Sequence, residues 1–451
     1  MKHIHYSVIG FFMVALFLFS CKKFLDEKSN KSLVVIKTVD DLQSLLDDDR
    51  TMNSQTPGFG QTSDDDYFVT LESYNSAGDF DQRAYTWRLE KYRYPNDWSS
   101  SYNAIYNANY CLEQIEKIGE TQQNETKWNN VRGSALFYRG FYFLNLLWEY
   151  SKAFDQSTSQ KDLGIVLRLG SNFNVPSNRA SVKTSYEQVI KDLKESLIYL
   201  PDFPQHVMRP SKAASYAALA RAYLSMSIYD SASKFADLSL SIKGDLLDYN
   251  SAGVNVSSNV PFKRYNIETI FYATQSGNYT TKYSFYALAD SLLYAAYNTN
   301  DLRKKTYFFS NSGGYSFKGS YASDMYLFFS GIATDEMFLT RAECNARMGR
   351  LSDALEDLNL LLSKRYATGT FLPYSTTDQT EVINLILKER RKELTMRGLR
   401  WIDIKRLNKQ GANIILKRIV GSEIYTLAPN DNKFALPLPQ DIIETTGVQQ
   451  N

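Results

Sequence analysis

The sequence predicts a mainly α-helical fold, in which a scaffold of tetratricopeptide-like helical hairpins carries irregular, loop-rich and Tyr-rich insertions and a few short strands. Two distant segments, beginning at Ala220 and Ala342, share the small-residue spacing of such hairpins. Apolar residues recur at steps of three and four in several other segments, which is typical of amphipathic helices. Because one hairpin cannot bury its apolar face alone, we expect the two copies to pack together.

Residues 1–20 have the pattern of a signal peptide. The apolar stretch 8–19 follows a basic residue and is too short for a comfortable transmembrane helix. Leu18 at position −3, with a small residue at −1, makes the segment before Cys21 resemble a bacterial lipobox. We therefore predict that Cys21 is the lipidated first residue of the mature chain and that residues 21–37 form a tether. An ordinary secreted protein with a chance Cys is the alternative; several acyl chains on one residue would anchor the chain stably.

The composition excludes several function classes. The 451 residues include 51 basic and 49 acidic side chains in no long run of one sign, so we expect no nucleic-acid partner. Outside the signal segment the only histidine is His206, which we expect in an exposed loop, so a His-based triad or metal site would depend on it alone. We predict no catalytic residue, no metal and no cofactor. Cys111 and Cys344 are expected to be buried thiols, with a disulfide between them as the alternative.

The first half of the chain alternates between helices and loops. Residues 38–46 place apolar residues on one helical face, and residues 98–150 predict a pair of longer helices. Residues 47–97 are loop-like, with aromatic residues interleaved among Asp and Gly. An Asp-Asp-Asp run there offers oxygen ligands suited to Ca²⁺ but lacks the Gly and distal Glu of an EF-hand, so we favour a solvated loop. After a loop at 151–183, a helix is expected at 184–200, with its first residue Thr184 as the cap.

The two repeat copies align residues 220–232 with residues 342–354. In both, the first Ala is followed by a Met six residues on, a small residue seven on and an Ala twelve on. Small side chains at these positions allow the two helices of a hairpin to pack closely. Residues 241–332 separate the copies and are rich in Tyr, Ser, Asn and Gly; within them, residues 266–275 alternate like a strand.

The most informative stretch is 381–408. Its pattern predicts an amphipathic helix, a helix end at Gly398 and a second group of apolar residues after that glycine. A dense block of opposite charges lies between the two apolar groups. We expect this block to form a structural network of arginines and carboxylates over a core. A catalytic role for Glu389 or Glu393 is the alternative, and it is disfavoured because nearby arginines hold such carboxylates ionised.

This stretch, KERRKELTMRGLRWIDIKR, resembles the C-terminal signature of the SusD/RagB family. The matching positions are Glu389, Arg390, Glu393, Leu394, Gly398, Arg400, Trp401, Asp403 and Arg406. Arg397 departs from the signature, because the family commonly has an acid before the Gly. Looser resemblances are Phe24-Leu25-Asp26 after the lipobox Cys, the W-x-x-x-Y-x-x-I-x-x-A-N pattern at 98–109, Asp301 with Arg303, Lys318 to Tyr321, and Pro437 with Pro439.

The resemblance implies a non-catalytic nutrient-binding lipoprotein on the outer membrane, facing the cell exterior, that binds a glycan and caps a SusC-like TonB-dependent transporter. It also implies one SusD-like domain over residues 38–451, in which the helical repeats face the transporter and the loops hold the ligand. The scaffold is then expected at about 38–46, 98–150, 184–240 and 333–408, the ligand-side loops at about 47–97, 151–183 and 241–332, and a C-terminal segment at 409–451.

Capture of a glycan requires aromatic faces that stack on sugar C–H surfaces and polar groups that bond the hydroxyls, on a preformed surface. The candidate ligand-binding residues are Asp66, Tyr67, Trp87, Asn96 and Trp98 in the first loop region, and Tyr279, Tyr283 and Tyr315 in the insertion. For any single Tyr, and for Trp98 at the start of a predicted helix, a place in the core or on ordinary surface is the competing interpretation.

Two other functions stay open at this point. A lipoprotein lid for peptide or other non-glycan nutrients would use the same scaffold. A glycoside hydrolase would need two carboxylates about 5 to 10 Å apart across a cleft, and the many Asp residues permit that without selecting a pair.

Overall fold

The structure is a computed structural model that describes residues 36–276 and 287–451. The helices of these ranges are α1 (Val39–Leu46), α2 (Asp49–Met52), α3 (Phe59–Ser63), α4 (Leu71–Ser76), α5 (Asp79–Tyr85), α6 (Asp97–Ile118), α7 (Glu125–Tyr150), α8 (Val182–Tyr199), α9 (Lys212–Ser225), α10 (Tyr229–Ile242), α11 (Ser291–Ala295), α12 (Arg303–Tyr307), α13 (Thr334–Arg347), α14 (Leu351–Ser363), α15 (Gln379–Glu393), α16 (Arg400–Lys409) and α17 (Gln440–Thr446). The predicted, mainly helical fold class is therefore confirmed. The predicted signal peptide and Cys21 lie outside the described residues.

Short antiparallel strand pairs accompany the helices. The strands are β1 (Tyr67–Phe68), β2 (Leu163–Val166), β3 (Arg179–Ser181), β4 (Thr269–Phe271), β5 (Leu288–Ala289), β6 (Phe308–Asn311), β7 (Gly314–Phe317), β8 (Ile332–Ala333), β9 (Leu416–Val420) and β10 (Glu423–Leu427), paired as β1–β5, β2–β3, β4–β8, β6–β7 and β9–β10. The strand β4 is shorter than the alternation at 266–275 predicts. Beyond it the chain bonds to the loop between α2 and α3, because Thr274 donates its N–H to the carbonyl of Asn53 at 2.7 Å and Ser276 donates to that of Thr56 at 2.7 Å.

The N-terminal helices follow the apolar pattern closely. Thr38 caps α1, accepting the N–H of Asp41 on its Oγ1 at 3.1 Å. The helices α6 and α7 form the predicted pair. The helix α8 begins earlier than predicted, because Ser181 is its cap and accepts the N–H of Thr184 at 3.1 Å. The prediction of Thr184 as the cap is therefore wrong; it lies inside the first turn.

The two repeat copies form the hairpins α9–α10 and α13–α14, as predicted. Each hairpin turns at its small residue with a left-handed backbone, with φ of 60° at Ser227 and 80° at Gly349. The helix α10 packs directly on α13, and in this contact Ser233 donates a hydrogen bond to Asn345 Oδ1 at 3.0 Å. The expected stacking of the two copies is therefore confirmed.

Buried apolar side chains form two main clusters. The larger one fills the helical scaffold, while the second lies beneath the insertion and is built largely from aromatic rings. In the second cluster the hydroxyl of Tyr249 lies 3.0 Å from that of Tyr307 and 3.1 Å from that of Tyr321. Many of the insertion tyrosines are therefore core residues that satisfy one another's hydroxyl groups.

The signature stretch turns more sharply than its sequence predicts. The helix α15 ends at Glu393, and Met396 (φ 59°) and Gly398 (φ 73°) both have left-handed backbones before α16 begins. A Cβ at Gly398 would lie 2.9 Å from Nε2 of Gln275, and the N–H of Gly398 donates to Oε1 of Gln61 at 2.9 Å. Gly398 therefore allows Gln275 and Gln61 to approach the backbone closely, and it does not itself end α15.

Two further expectations can be compared with the structure. Cys111 and Cys344 are free and buried, as predicted, and burial raises the pKa of the Cys111 thiol to about 12. His206 is exposed in the loop after α8, also as predicted. Within residues 36–276 and 287–451, no helix combines the length and apolar character needed to cross a membrane.

Candidate functional site

Two of the predicted ligand-binding residues, Asp66 and Tyr67, are buried beside the signature stretch. The N–H of Met396 donates to Oδ2 of Asp66 at 3.3 Å, and Nε of Arg391 lies 3.7 Å from Oδ1. Burial raises the pKa of Asp66 to about 6, although Arg391 opposes the rise. Tyr67 donates its hydroxyl to the carbonyl of Thr62 at 2.6 Å. Both side chains are buried in the structure, so neither presents a surface to a ligand in this conformation.

Trp87 is almost completely enclosed as well. Its Nε1–H donates to the carbonyl of Ser63 at 2.9 Å, and the guanidinium of Arg418 lies 5.4 Å from its ring centroid. The small accessible part borders a cavity of about 220 Å³, whose wall also includes Phe59 and Leu436. Trp87 therefore presents no open face on which a sugar ring could stack.

Asn96 and Trp98 organise the start of α6. The Oδ1 of Asn96 accepts the N–H of Ser99 at 2.8 Å and so caps the helix. The ring of Trp98 is buried between Tyr102, at 4.8 Å between centroids, and Tyr150, at 5.1 Å. Helix capping by Asn96 and core packing by Trp98 therefore account for both residues without a ligand, which is the competing interpretation given for Trp98.

Tyr279 and Tyr283 lie outside the described residues. Their ligand-binding role stays a prediction from the sequence.

Among the predicted residues that the structure describes, Tyr315 is the one left accessible. It lies on β7, is 38% exposed, and stacks on Tyr294 of α11 with 3.7 Å between ring centroids and 13° between planes. The Nζ of Lys304 lies 4.8 Å from the centroid of Tyr294, and Leu292, on the same short helix, is 79% exposed. We call Tyr294, Tyr315, Leu292 and Lys304 the tyrosine platform. In the described part of the chain no second ring stacks on Tyr315.

The surrounding contacts fix the tyrosine platform in place. The carboxylate of Asp290 caps α11 by accepting the N–H of Leu293 at 2.9 Å. Phe308 meets the ring of Tyr294 edge-on, with 5.5 Å between centroids. Desolvation, helped by its hydrogen bond to Tyr315, raises the pKa of Tyr294 to about 12, so this hydroxyl stays protonated near neutral pH. The platform is therefore a preformed surface that joins a flat apolar area to hydroxyl groups.

Three of the platform residues, Tyr294, Leu292 and Lys304, were not predicted from the sequence. The stretch SLLYAAY at 291–297 contains two tyrosines, of which Tyr294 faces the platform and Tyr297 is buried. The weak helical spacing of its apolar residues was the available signal, and it does not say which face meets solvent.

The charged residues of the signature form a buried network, as predicted. Arg303 pairs with Asp301 at 2.8 Å, with Glu389 at 2.6 Å and with Glu393 at 2.8 Å. Arg365 also contacts Glu393, at 2.7 Å. Arginines therefore hold Glu389 and Glu393 in structural roles, which supports the interpretation favoured over catalysis.

The departure from the signature at Arg397 is compensated locally. Its guanidinium donates to both carboxylate oxygens of Asp335, at 2.9 and 2.7 Å. Asp335, Glu268 and Glu393 lie close enough together to resemble a metal site among the described residues. However, Arg365 donates to Glu393 at 2.7 Å and to Glu268 at 2.8 Å. Guanidinium groups therefore neutralise all three carboxylates.

The chain therefore combines a helical-repeat scaffold, loop-rich insertions that carry an aromatic platform, and a buried ionic signature. Comparison with family models agrees: residues 23–224 match the SusD-like model described as starch-binding and associating with the outer membrane, and residues 334–443 match the SusD family model. The chain belongs to the SusD/RagB family, whose members are non-catalytic carbohydrate-binding proteins associated with the outer membrane.

Solved structures share the fold at low sequence identity. A SusD superfamily protein from Bacteroides thetaiotaomicron is 22% identical, with a TM-score of 0.77 over 92% of this chain and 100% of that one. A putative sugar-binding protein from Bacteroides vulgatus is 21% identical, with a TM-score of 0.73 over 93% and 99%. A laminarin-binding SusD-like protein is 17% identical, with a TM-score of 0.62 over 91% and 97%. Comparison with curated proteins gave no match.

Proposed function

We propose that this chain is a lipoprotein of the outer membrane that captures a glycan at the cell surface and passes it to a SusC-like TonB-dependent transporter. The observation that carries the proposal is the stacked, accessible pair Tyr294 and Tyr315 in the insertion. The face of a pyranose ring is lined with C–H groups, so an open aromatic face can bury it while ring hydroxyls remain available for hydrogen bonds.

The chemistry of the tyrosine platform favours an uncharged glycan. Its one charged member, Lys304, already donates to the carbonyl of Tyr297 at 2.9 Å. An acidic polysaccharide would call for a cluster of unpaired basic side chains, which these four residues do not supply. Neutral glucans are the first ligands to test, since the family model concerns starch-binding proteins and one structural relative binds laminarin.

Family membership supports the proposed transporter partner, and the sequence around Cys21 supports the proposed lipid anchor. Lipid on Cys21 would keep the binding face at the membrane surface, where a captured chain can be handed to a transporter without diffusing away. Co-purification of a TonB-dependent transporter with the full-length protein from its own membranes would support the pairing. Its absence under conditions that keep outer-membrane complexes intact would contradict it.

The test of glycan capture is retention in native gels that contain amylopectin, laminarin, xylan or mannan. We expect one of these gels to retard the protein and Tyr315→Ala to weaken the retardation. Tyr106→Ala is the matched control, because Tyr106 is a 46% exposed tyrosine on α6, outside the platform. Equal retardation of Tyr315→Ala and the wild type would refute the platform. Retention by no glycan, together with a bound transporter, would favour a lid for peptide or other non-glycan nutrients.

A further inference from the structure

A separate cleft opens on the helical scaffold, between α1, the first turns of α7 and the loop that follows α8. Its volume is about 540 Å³, within the range of roughly 300–1,000 Å³ that is usual for small-ligand sites. None of the tyrosine-platform residues lines it. We call it the amide cleft, because the side chains of Gln43, Asn129, Asn130 and Gln205 line it.

One wall of the amide cleft is a chain of side chains that hydrogen-bond to one another. Asn130 donates to Oε1 of Gln43 at 2.6 Å, and Gln43 donates to Oδ1 of Asp47 at 2.9 Å. Arg209 donates to Asp47 and to Oε1 of Gln205. In the described part of the chain, Oδ1 of Asn130 and Nε2 of Gln205 take no part in these bonds. The wall therefore offers a ligand the acceptor Oδ1 of Asn130 and the donor Nε2 of Gln205. Both side chains are already held by their other hydrogen bonds, so binding would cost little further conformational entropy.

Aromatic side chains form another part of the lining. Tyr199 meets Trp128 edge-on, with 5.9 Å between centroids, and the guanidinium of Arg132 lies 4.9 Å from its ring. The hydroxyl of Tyr199 makes no hydrogen bond within residues 36–276 and 287–451. Phe203, on the loop after α8, is 65% exposed. The amide cleft therefore combines apolar ring surface with unpaired polar groups.

The charges that line the cleft are balanced. Lys127 pairs with Asp40 at 2.8 Å, and Arg209 pairs with Asp47. With each cation matched by a carboxylate, the cleft offers an ionic ligand no net attraction. Aromatic surface beside fixed amides suits a neutral, polyhydroxylated ligand, whose hydroxyls both donate and accept hydrogen bonds.

We propose that the amide cleft is a second glycan-binding subsite, which binds a short segment of neutral oligosaccharide apart from the tyrosine platform. The inference rests on the proposed function, because the ligand is the same glycan that the platform captures. Two subsites on one protein would hold a long chain more tightly than either subsite alone wherever the chain reaches both.

The test compares four proteins in the amylopectin and laminarin gels: the wild type, Tyr315→Ala, the double variant Phe203→Ala/Asn129→Ala, and the triple variant. Asn129 also lines the cleft and makes no side-chain hydrogen bond in the described structure. We expect the double variant to bind roughly tenfold more weakly, as loss of about 50 Å² of buried apolar contact predicts, and the triple variant to show no retention. Ile198→Ala is the matched control, because Ile198 is 72% exposed on α8 beside Tyr199 and does not line the cleft.

The possible outcomes distinguish the amide cleft from the tyrosine platform. A double variant that binds like the wild type, and adds nothing to Tyr315→Ala, would overturn the second subsite and leave the platform standing. Loss of binding in the double variant but not in Tyr315→Ala would support the amide cleft and refute the platform. Retention of no protein by either gel would overturn the amide cleft, and the xylan and mannan gels would then decide whether glycan capture fails with it. Thermal melting of each variant at the wild-type temperature would confirm that the fold is intact.

Discussion

Replacing Glu343 with Gln tests whether ionised carboxylates hold the signature against the repeat scaffold. Glu343 lies on α13 and is fully buried. Arg406 donates to its two oxygens at 2.6 and 2.8 Å, and Arg347 donates to one of them at 2.9 Å. Gln has the same shape but no charge, so Glu343→Gln removes the ionic part of this contact and leaves its packing in place.

The size of the effect follows from the pKa of Glu343. Burial alone would raise this pKa, but the guanidinium groups of Arg406 and Arg347 lower it from 4.5 to about 2. The difference corresponds to about 3 kcal/mol of folding stability. Because the folded-state pKa is the lower one, this contribution is present above pH 4.5 and disappears as the pH falls to about 2.

Urea unfolding at pH 7 and at pH 3 measures this contribution. We expect Glu343→Gln to lower the free energy of unfolding by about 3 kcal/mol at pH 7 and by about half of that at pH 3. Glu444→Gln is the control, because Glu444 makes an exposed pair with Arg93 and should contribute little. A Glu343→Gln protein as stable as the wild type at pH 7, or a deficit that does not shrink in acid, would refute the reasoning.

Three further predictions concern the scaffold, each measured by urea unfolding. Gly349→Ala should lower the free energy of unfolding by about 1–2 kcal/mol, because φ is 80° at this residue. Ser227→Gly at the equivalent turn should not lower it. Equal effects of the two substitutions would contradict the strain argument. Arg139→Met should lower the free energy of unfolding by about 3–5 kcal/mol, because it leaves Asp192 buried without its partner. The double variant Arg139→Met/Asp192→Leu should recover most of this loss. Burial raises the pKa of Glu149, so its ionised form lowers folding stability above pH 4.5. Glu149→Gln should therefore raise the free energy of unfolding more at pH 8 than at pH 5. An increase that does not depend on pH would disprove this.

The helices were predictable because their signals are local. Thr38 caps α1, and the small residues Ser227 and Gly349 mark the repeat turns in the sequence as they do in the structure. The start of α8 was missed because Ser181 and Thr184 are both good caps, and the choice between them depends on the strand that precedes the helix.

The exposure of the candidate ligand-binding residues was much harder to predict, because it depends on distant segments. Tyr67 and Tyr315 are both strand residues in loop-rich, aromatic parts of the chain. Tyr67 is buried because Arg418, more than three hundred residues away, donates to its carbonyl and lies over its ring. In the same way, Asp65 looks like part of a solvated acidic run until Arg400 pairs with it at 2.6 Å.

The signature also explains how irregular loops can present a fixed binding surface. Arg303, on α12 of the insertion, pairs with Glu389 and Glu393 of α15, and Asp290, which caps the platform helix α11, lies 3.5 Å from Arg391. Buried ion pairs recover little more than their desolvation cost, so we interpret this network as specifying one arrangement rather than adding stability. If the proposed function is correct, a platform held in that way would bind a sugar without a further ordering cost, which matters for a ligand held mainly by stacking.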